Sequence, residues 1–167
     1  MDVEERFQII KSVGVEVITE EELRELVETK EQPTAYDGFE PSGPAHLPLA
    51  IFRPLLIRDL MRAGVKFHIL LADTFAWINN KLGGDIQAIR RAAQYYLEVW
   101  KAAGRVLGVD MSKIVVHWHK DFFDDPEYWR KVLLIAKNHR LSRTLRALAI
   151  AGREASLKNP TAVCFYP

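Results

Sequence analysis

Between residues 34 and 119 the hydrophobic pattern changes period repeatedly, in the order strand, helix, strand, helix, strand. Residues 34–39 (TAYDGF) read as a short strand. Residues 47–63 predict a helix with Leu49, Phe52, Leu56 and Leu60 inward, closed by Gly64. Pro54 lies inside that pattern and predicts a kink or a delayed start. The second strand, 65–71, ends in Ile69-Leu70-Leu71, an apolar run that predicts burial on both faces. A short helix is expected around Phe75, then a turn at Gly83-Gly84. Asp85 predicts the N-cap of a long helix with Ile86, Ile89, Ala93, Tyr96 and Trp100 on one side. Residues 114–119 read as the third strand. Strands joined by crossover helices pair in parallel, and the crossovers are right-handed. The expected fold class is therefore α/β: half of a doubly wound, Rossmann-like parallel sheet.

The flanks are helical. Thr19 and Glu22 predict a capping box for a helix with Leu23, Leu26 and Val27 as its apolar stripe, and Gln32-Pro33 ends it. Asp125-Pro126 predicts a helix start, with Trp129, Val132, Leu133 and Ala136 on that helix. A further helix is expected over 141–151, stopped by Gly152, and a strand-prone tail over 161–166. The expectation is a single domain, 1–167, comprising N-terminal helices (1–32), a half-Rossmann core (33–120), a helical insertion (121–160) and a tail (161–167). Lys and Arg number 23 against 22 Asp and Glu, a net charge of +1, which excludes a strongly basic nucleic-acid wrapper. One cysteine, Cys164, excludes an intramolecular disulfide framework. With no signal-like start and no long apolar run, a cytoplasmic protein with no membrane contact is expected.

The segment Tyr36-Asp37-Gly38-Phe39-Glu40-Pro41-Ser42-Gly43-Pro44-Ala45-His46-Leu47 leaves the first strand and enters a helix N-terminus. In such folds this is where nucleotide phosphates bind, because free amides and the helix dipole favour an anion. His46 is placed to donate a hydrogen bond there. The segment is neither a Walker loop nor a Gly-x-Gly-x-x-Gly fingerprint, and a plain turn built from Pro and Gly is the alternative reading.

Gly38-Phe39-Glu40-Pro41-Ser42-Gly43 with His46-Leu47 resembles the first signature region of archaeal-type tyrosyl-tRNA synthetases. Leu70-Leu71-Ala72-Asp73 with Ala76-Trp77-Ile78-Asn79, then Asn80-Lys81-Leu82-Gly83-Gly84-Asp85, Glu127-Tyr128-Trp129 and Leu141-Ser142-Arg143 also resemble that family. The resemblance implies ATP-dependent activation of tyrosine and its transfer to tRNA-Tyr. ATP with Mg2+ would be the substrate pair, with no tightly bound cofactor and no resident metal. It places Tyr36, Gly38, Glu40, Leu70, Ala72, Tyr128 and Tyr166 at or near the tyrosine pocket. It places Gly38, Glu40, Ser42, His46, Pro48 and Leu49 around ATP, with His46 the catalytic residue matching the first histidine of a His-x-Gly-His signature. The signature departs at Pro48 and Leu49, which replace its Gly and second His. Leu49 cannot donate to phosphate, a loss of about 2.7–4 kcal/mol of transition-state stabilisation per donor. The resemblance also implies that the rest of the active site lies beyond residue 167, so this chain alone is not expected to aminoacylate. In the family, the insertion after the third strand pairs two chains, so a homodimer through 126–150 is implied.

Other clusters carry further readings. His117 and His119 alternate on the third strand and should share a face, a two-imidazole arrangement with no evident third metal ligand. His68 lies on a neighbouring strand and His139 at a helix end. Cys164 reads as an inert thiol between Val163 and Phe165, with a Cys–His hydrolase as the alternative. Arg140, Arg143 and Arg146, with Lys137, Arg153 and Lys158 nearby, read as a solvated helix face or as a contact for tRNA phosphates. An engineered or excised scaffold acting as a binding or self-assembly module is the non-enzymatic reading.

Overall fold

A computed structural model describes residues 1–140, 142 and 143. Of the expected helix over 141–151 residues 142 and 143 are described, both helical; the rest of it, the strand-prone tail, and Cys164, Tyr166, Arg146, Arg153 and Lys158 lie outside the described residues. Helices α1 (Val3–Val13) and α2 (Glu20–Thr29) precede strand β1 (Thr34–Phe39). A π-helical turn at Pro48–Phe52 then runs into α3 (Arg53–Arg62). Next come β2 (Lys66–Leu71), α4 (Asp73–Ile78), α5 (Ile86–Leu107), β3 (Val115–Trp118) and α6 (Pro126–Asn138). Among the described residues the strands form one parallel sheet in the order β1-β2-β3, with Gly38 opposite Leu70 and Leu70 opposite His117. This is the half-sheet the alternating pattern predicts.

Side-chain alternation divides the sheet into two unlike faces. Phe39, Phe67, Ile69 and Leu71 are buried against Ile57 of α3 and Ala93, Tyr96 and Trp100 of α5. The opposite face carries Tyr36, Gly38, His68, Leu70 and His117 and is only partly covered. Burial on both faces of β2 is thus corrected: Leu70 is half-buried, because the side it faces is the open one.

Local chemistry accounts for the element ends. Asp85 caps α5 by accepting from the amides of Gln87 (2.8 Å) and Ala88 (3.1 Å). Gly64, at φ +83°, turns the chain from α3 into β2 in a conformation that favours glycine. At α2 only half of the predicted box forms, the Glu22 amide donating to Thr19 Oγ1; the reciprocal box is at α1, between Asp2 and Glu5. Leu26 is exposed rather than part of an inward stripe, and Val27 alone of the three is fully buried. The helical run begins at Leu47, the expected start, and is irregular ahead of Pro54 rather than delayed by it. The preceding residues form a π turn, wider than an α turn, which rotates the following positions. Phe52 therefore faces solvent, contrary to the expected inward stripe, and Ile57 takes the core position.

The N-terminal helices are held to the sheet layer by one guanidinium. Arg6 donates to the carbonyls of Ala63 (3.0 Å), Val27 (3.2 Å), Lys30 (3.1 Å) and Glu31 (2.9 Å). These are chain-end carbonyls of α2 and α3 that have no intrahelical partner. Replacing Arg6 by Met keeps the aliphatic stem and removes the donors. The expected loss is about 2–3 kcal/mol in urea unfolding; an unchanged midpoint would show that water satisfies these carbonyls equally well.

Candidate active site

The loop after β1 returns across the carboxyl end of the sheet and is fixed from behind by α5. Pro41 is fully buried, the Ser42 amide donates to Tyr96 Oη at 3.3 Å, and Trp100 Nε1 donates to the Leu49 carbonyl at 2.8 Å. Gly43, at φ +150°, makes the bend in a region that side-chain-bearing residues rarely enter. Between loop and sheet lies a cleft of about 280 Å³ lined by Gly38, Phe39, Glu40, Ser42, His46, Pro48, Leu49, Arg53 and Tyr96. All six positions expected around ATP line this one cleft.

His46 sits at the helix entrance. Its Nδ1 accepts from the Leu49 amide at 3.4 Å, so in this arrangement the proton of the neutral ring is on Nε2. That N–H is a donor on an exposed ring beside the cleft. Pro48 costs the helix nothing, since its position has no amide to satisfy. Leu49 faces the core, and its contribution to the site is its backbone. A Cβ on Gly38 would meet nothing nearer than Leu70 Cδ2 at 4.0 Å, so the space over Gly38 is open to a ligand. Glu40 accepts from Asn79 Nδ2 at 2.9 Å, which orients its carboxylate from α4's C-terminal end.

The expected tyrosine-facing positions are split. Tyr36, Gly38 and Leu70 share the open sheet face, with Tyr36 76% exposed. Ala72 is buried just beyond β2, its amide donating to the Phe39 carbonyl at 2.9 Å. Tyr128 stands on α6, its hydroxyl 2.9 Å from His119 Nε2 and its ring stacked on Phe122.

Asp73, expected only as part of a motif, is a structural hub. Fully buried, its carboxylate accepts from Arg90 Nε (3.1 Å) and the Lys120 amide (3.2 Å), joining α4, α5 and the turn after β3. That turn is why His119 lies beyond the strand rather than on it. His117 and His119 both touch Phe122, yet their nitrogens diverge: His117 Nε2 meets His68 Nδ1 at 2.8 Å, while His119 meets Tyr128. Among the described residues no group of three His, Cys, Asp or Glu side chains is arranged to hold a metal ion. A larger hollow of about 550 Å³ beside Thr74, Trp77, Ile78, Asn80 and Phe123 has no titratable side chain among its described lining residues.

Sequence reasoning missed Arg53, Tyr96 as a loop anchor, and the His68–His117 contact. Tyr96 was legible as a core position but its hydroxyl's partner was not. Arg53 and the histidine pair depend on the π turn and the strand register, neither of which the residue pattern specifies.

A family model described as class I tRNA synthetases (W and Y) matches residues 28–164. A tyrosine–tRNA ligase of Sulfurisphaera tokodaii is 42% identical over 168 residues, covering 100% of this chain and 45% of its own length. The cytoplasmic tyrosine–tRNA ligase 1 of Arabidopsis thaliana is 38% identical, covering 99% of this chain and 43% of its own. A crystal structure of tyrosyl-tRNA synthetase from Pyrococcus horikoshii complexed with L-tyrosine aligns with a TM-score of 0.90 at 36% identity, over 100% of this chain and 46% of that one. The chain thus spans less than half the length of these relatives.

His119, which is buried, and His68, which is partly buried, contribute a pH dependence. Burial pushes the His119 imidazole below its ordinary range, Asp73 partly opposing. Burial, then His117 and Lys66, do the same to His68. The unfolded chain, titrating near pH 6.5, therefore takes up these protons first as pH falls. The stability these two neutral rings contribute is fully present above that value and is lost below it. Urea midpoints should drop between about pH 7.5 and 5.5, and less so in His119→Phe; midpoints that rise, or the same drop in the variant, would contradict this assignment.

Proposed function

The chain belongs to the class I tRNA synthetases of the tryptophan and tyrosine type, and on that premise we propose that it forms the first half of a tyrosine-activating site. The observation that carries this reading is the convergence of Gly38, Glu40, Ser42, His46, Pro48 and Leu49 on one cleft at the carboxyl ends of parallel strands. The cleft takes the phosphates of ATP, magnesium arriving with the nucleotide as part of the substrate. The amino acid lies over the open face formed by Tyr36, Gly38 and Leu70, with Ala72 at its end and Tyr128 bracing the far aromatic cluster.

The chemistry asked of these residues is limited. When the tyrosine carboxylate attacks the α-phosphorus, the bond to the β-phosphate breaks, pyrophosphate leaves with that electron pair, and negative charge builds on the phosphate oxygens. His46 Nε2–H is a fixed donor whose direction is set before substrate arrives, because its other nitrogen is occupied by the Leu49 amide. Preorganised donors of this kind act mainly on the transition state. The described residues supply one wall. β1 is an edge strand among them and Tyr36 is largely exposed, so both substrates are contacted from one side. Orientation of both is worth several kcal/mol, and the 167 residues alone are proposed to bind ATP without turning it over.

Two partner assignments accompany this reading. Leu133, Leu134 and Ile135 are exposed together on α6, which supports pairing of two copies through the 126–150 region. Exposed Arg140 and Arg143 support a tRNA-Tyr phosphate contact nearby. No helix among the described residues is long and apolar enough to cross a membrane.

Calorimetry with Mg-ATP should show binding by the 167-residue chain, and tyrosine-dependent exchange of pyrophosphate into ATP should be absent. Joining residues 1–167 to the remaining segment of the Sulfurisphaera relative should restore exchange, and His46→Ala in that chimera should cost about 100- to 1,000-fold. Failure of the chain to bind ATP would overturn the proposal. Light scattering should return a dimer that Leu133→Lys converts to monomer; a monomer from the outset would remove the pairing assignment.

A further inference from the structure

We infer that Arg53 is the residue that grips the nucleotide's phosphates in place of the missing second donor of the His-x-Gly-His signature. This deepens the proposed ATP site and rests on that reading. Among the described lining residues of the cleft, Arg53 is the one permanently cationic side chain, and Glu40 is a lining carboxylate. A triphosphate entering there needs a permanent counter-charge, which a guanidinium supplies at any physiological pH.

The backbone puts Arg53 in reach. Its amide closes the π turn onto the Pro48 carbonyl, about one turn beyond Leu49, and both residues line the cleft. Where Leu49 turns its apolar side chain to the core, the next turn of the same helical run presents a guanidinium. That group is held where the cleft borders a second hollow, of about 270 Å³, which Arg53 lines together with Asp37. Arg53 Nη1 is 3.0 Å from Asp37 Oδ2, and the guanidinium lies 6.0 Å from the Phe39 ring centroid. Arginine has five N–H donors in a planar fork, so one side of the fork can stay on Asp37 while the other meets phosphate oxygens. The side chain is about half exposed, so little desolvation opposes its use.

The competing role is purely structural, a tie between β1 and α3 that has nothing to do with ligand. The two roles separate by comparing ATP with adenosine, and by breaking the ion pair from each end. Binding of Mg-ATP and of adenosine is measured by calorimetry on the 167-residue chain and on Arg53→Met, Arg53→Lys and Asp37→Asn, with thermal melting of each to confirm folding. Arg53→Met should weaken ATP by about 10- to 100-fold and leave adenosine within about twofold. Arg53→Lys should fall between, because it keeps the charge and loses the fork. Asp37→Asn breaks the same pair yet keeps the cation, and ATP binding should survive. Equal ATP affinity in Arg53→Met and the parent chain, or parallel losses for ATP and adenosine, overturns the inference while leaving the cleft assignment intact. Should Arg53→Met not fold, loss of ATP affinity in Arg53→Lys without loss for adenosine decides in favour, and unchanged affinity decides against. No ATP binding by the parent chain overturns both.

Discussion

The hydrogen bond from Trp100 Nε1 to the Leu49 carbonyl, 2.8 Å long and fully buried, is the constraint on which the site depends. Residues 40–52 contain three prolines and a π turn, a run with little regular hydrogen bonding of its own. Left to itself such a run has many conformations, and ordering it costs about 1–2 kcal/mol per residue. Helix α5 supplies the order. Ile89, Ala93, Tyr96 and Trp100 form its buried stripe, and the last two each give one polar atom to the loop. Trp100 also packs on Phe39, ring centroids 4.7 Å apart, so the end of β1 and the start of the following helix are indexed to the same indole. An unpaired carbonyl at that depth would cost roughly 1–3 kcal/mol, which is why one hydrogen bond can fix the geometry.

Charge is arranged around the same frame. Asp73 holds α4, α5 and the turn after β3 from inside, while Asp37 holds Arg53 at the cleft from the strand. Burial raises the Asp37 carboxyl above its ordinary range, with Arg53 and the Gly38 amide opposing, so the ion pair sits where charge is neither freely solvated nor fully excluded from water. The open sheet face has the reverse character. It has the exposed Tyr36, the bare Gly38 and a pair of imidazoles in direct contact, surfaces that can be covered by ligand or by further chain without rebuilding the core.

Much of this was legible in the residues. The three parallel strands followed from the alternating order of strands and helices, the β1 bounds Thr34–Phe39 coincide with those predicted, and Asp85 and Asp125 cap the helices they precede. The positions expected around ATP came from the resemblance, and the structure gathers them in one cleft. What could not be read depends on small rotations and on register. Pro54 warned of an irregular start without specifying a π turn, and that turn moved Phe52 out, Ile57 in and Arg53 to the cleft. His117 and His119 looked like partners because alternation pairs them, whereas strand register gave His117 to His68 and the turn fixed by Asp73 gave His119 to Tyr128.

The central claim is that the loop pinned by α5 is a nucleotide cradle. Titrating Mg-ATP into the ¹⁵N-labelled chain while following both backbone amides and the Trp100 indole N–H tests it directly. The account predicts saturable shifts concentrated at residues 38–53 and at that indole, with the larger hollow beside Trp77 and Phe123 unmoved. Shifts centred on that hollow instead, or none in the loop at saturating nucleotide, would contradict it.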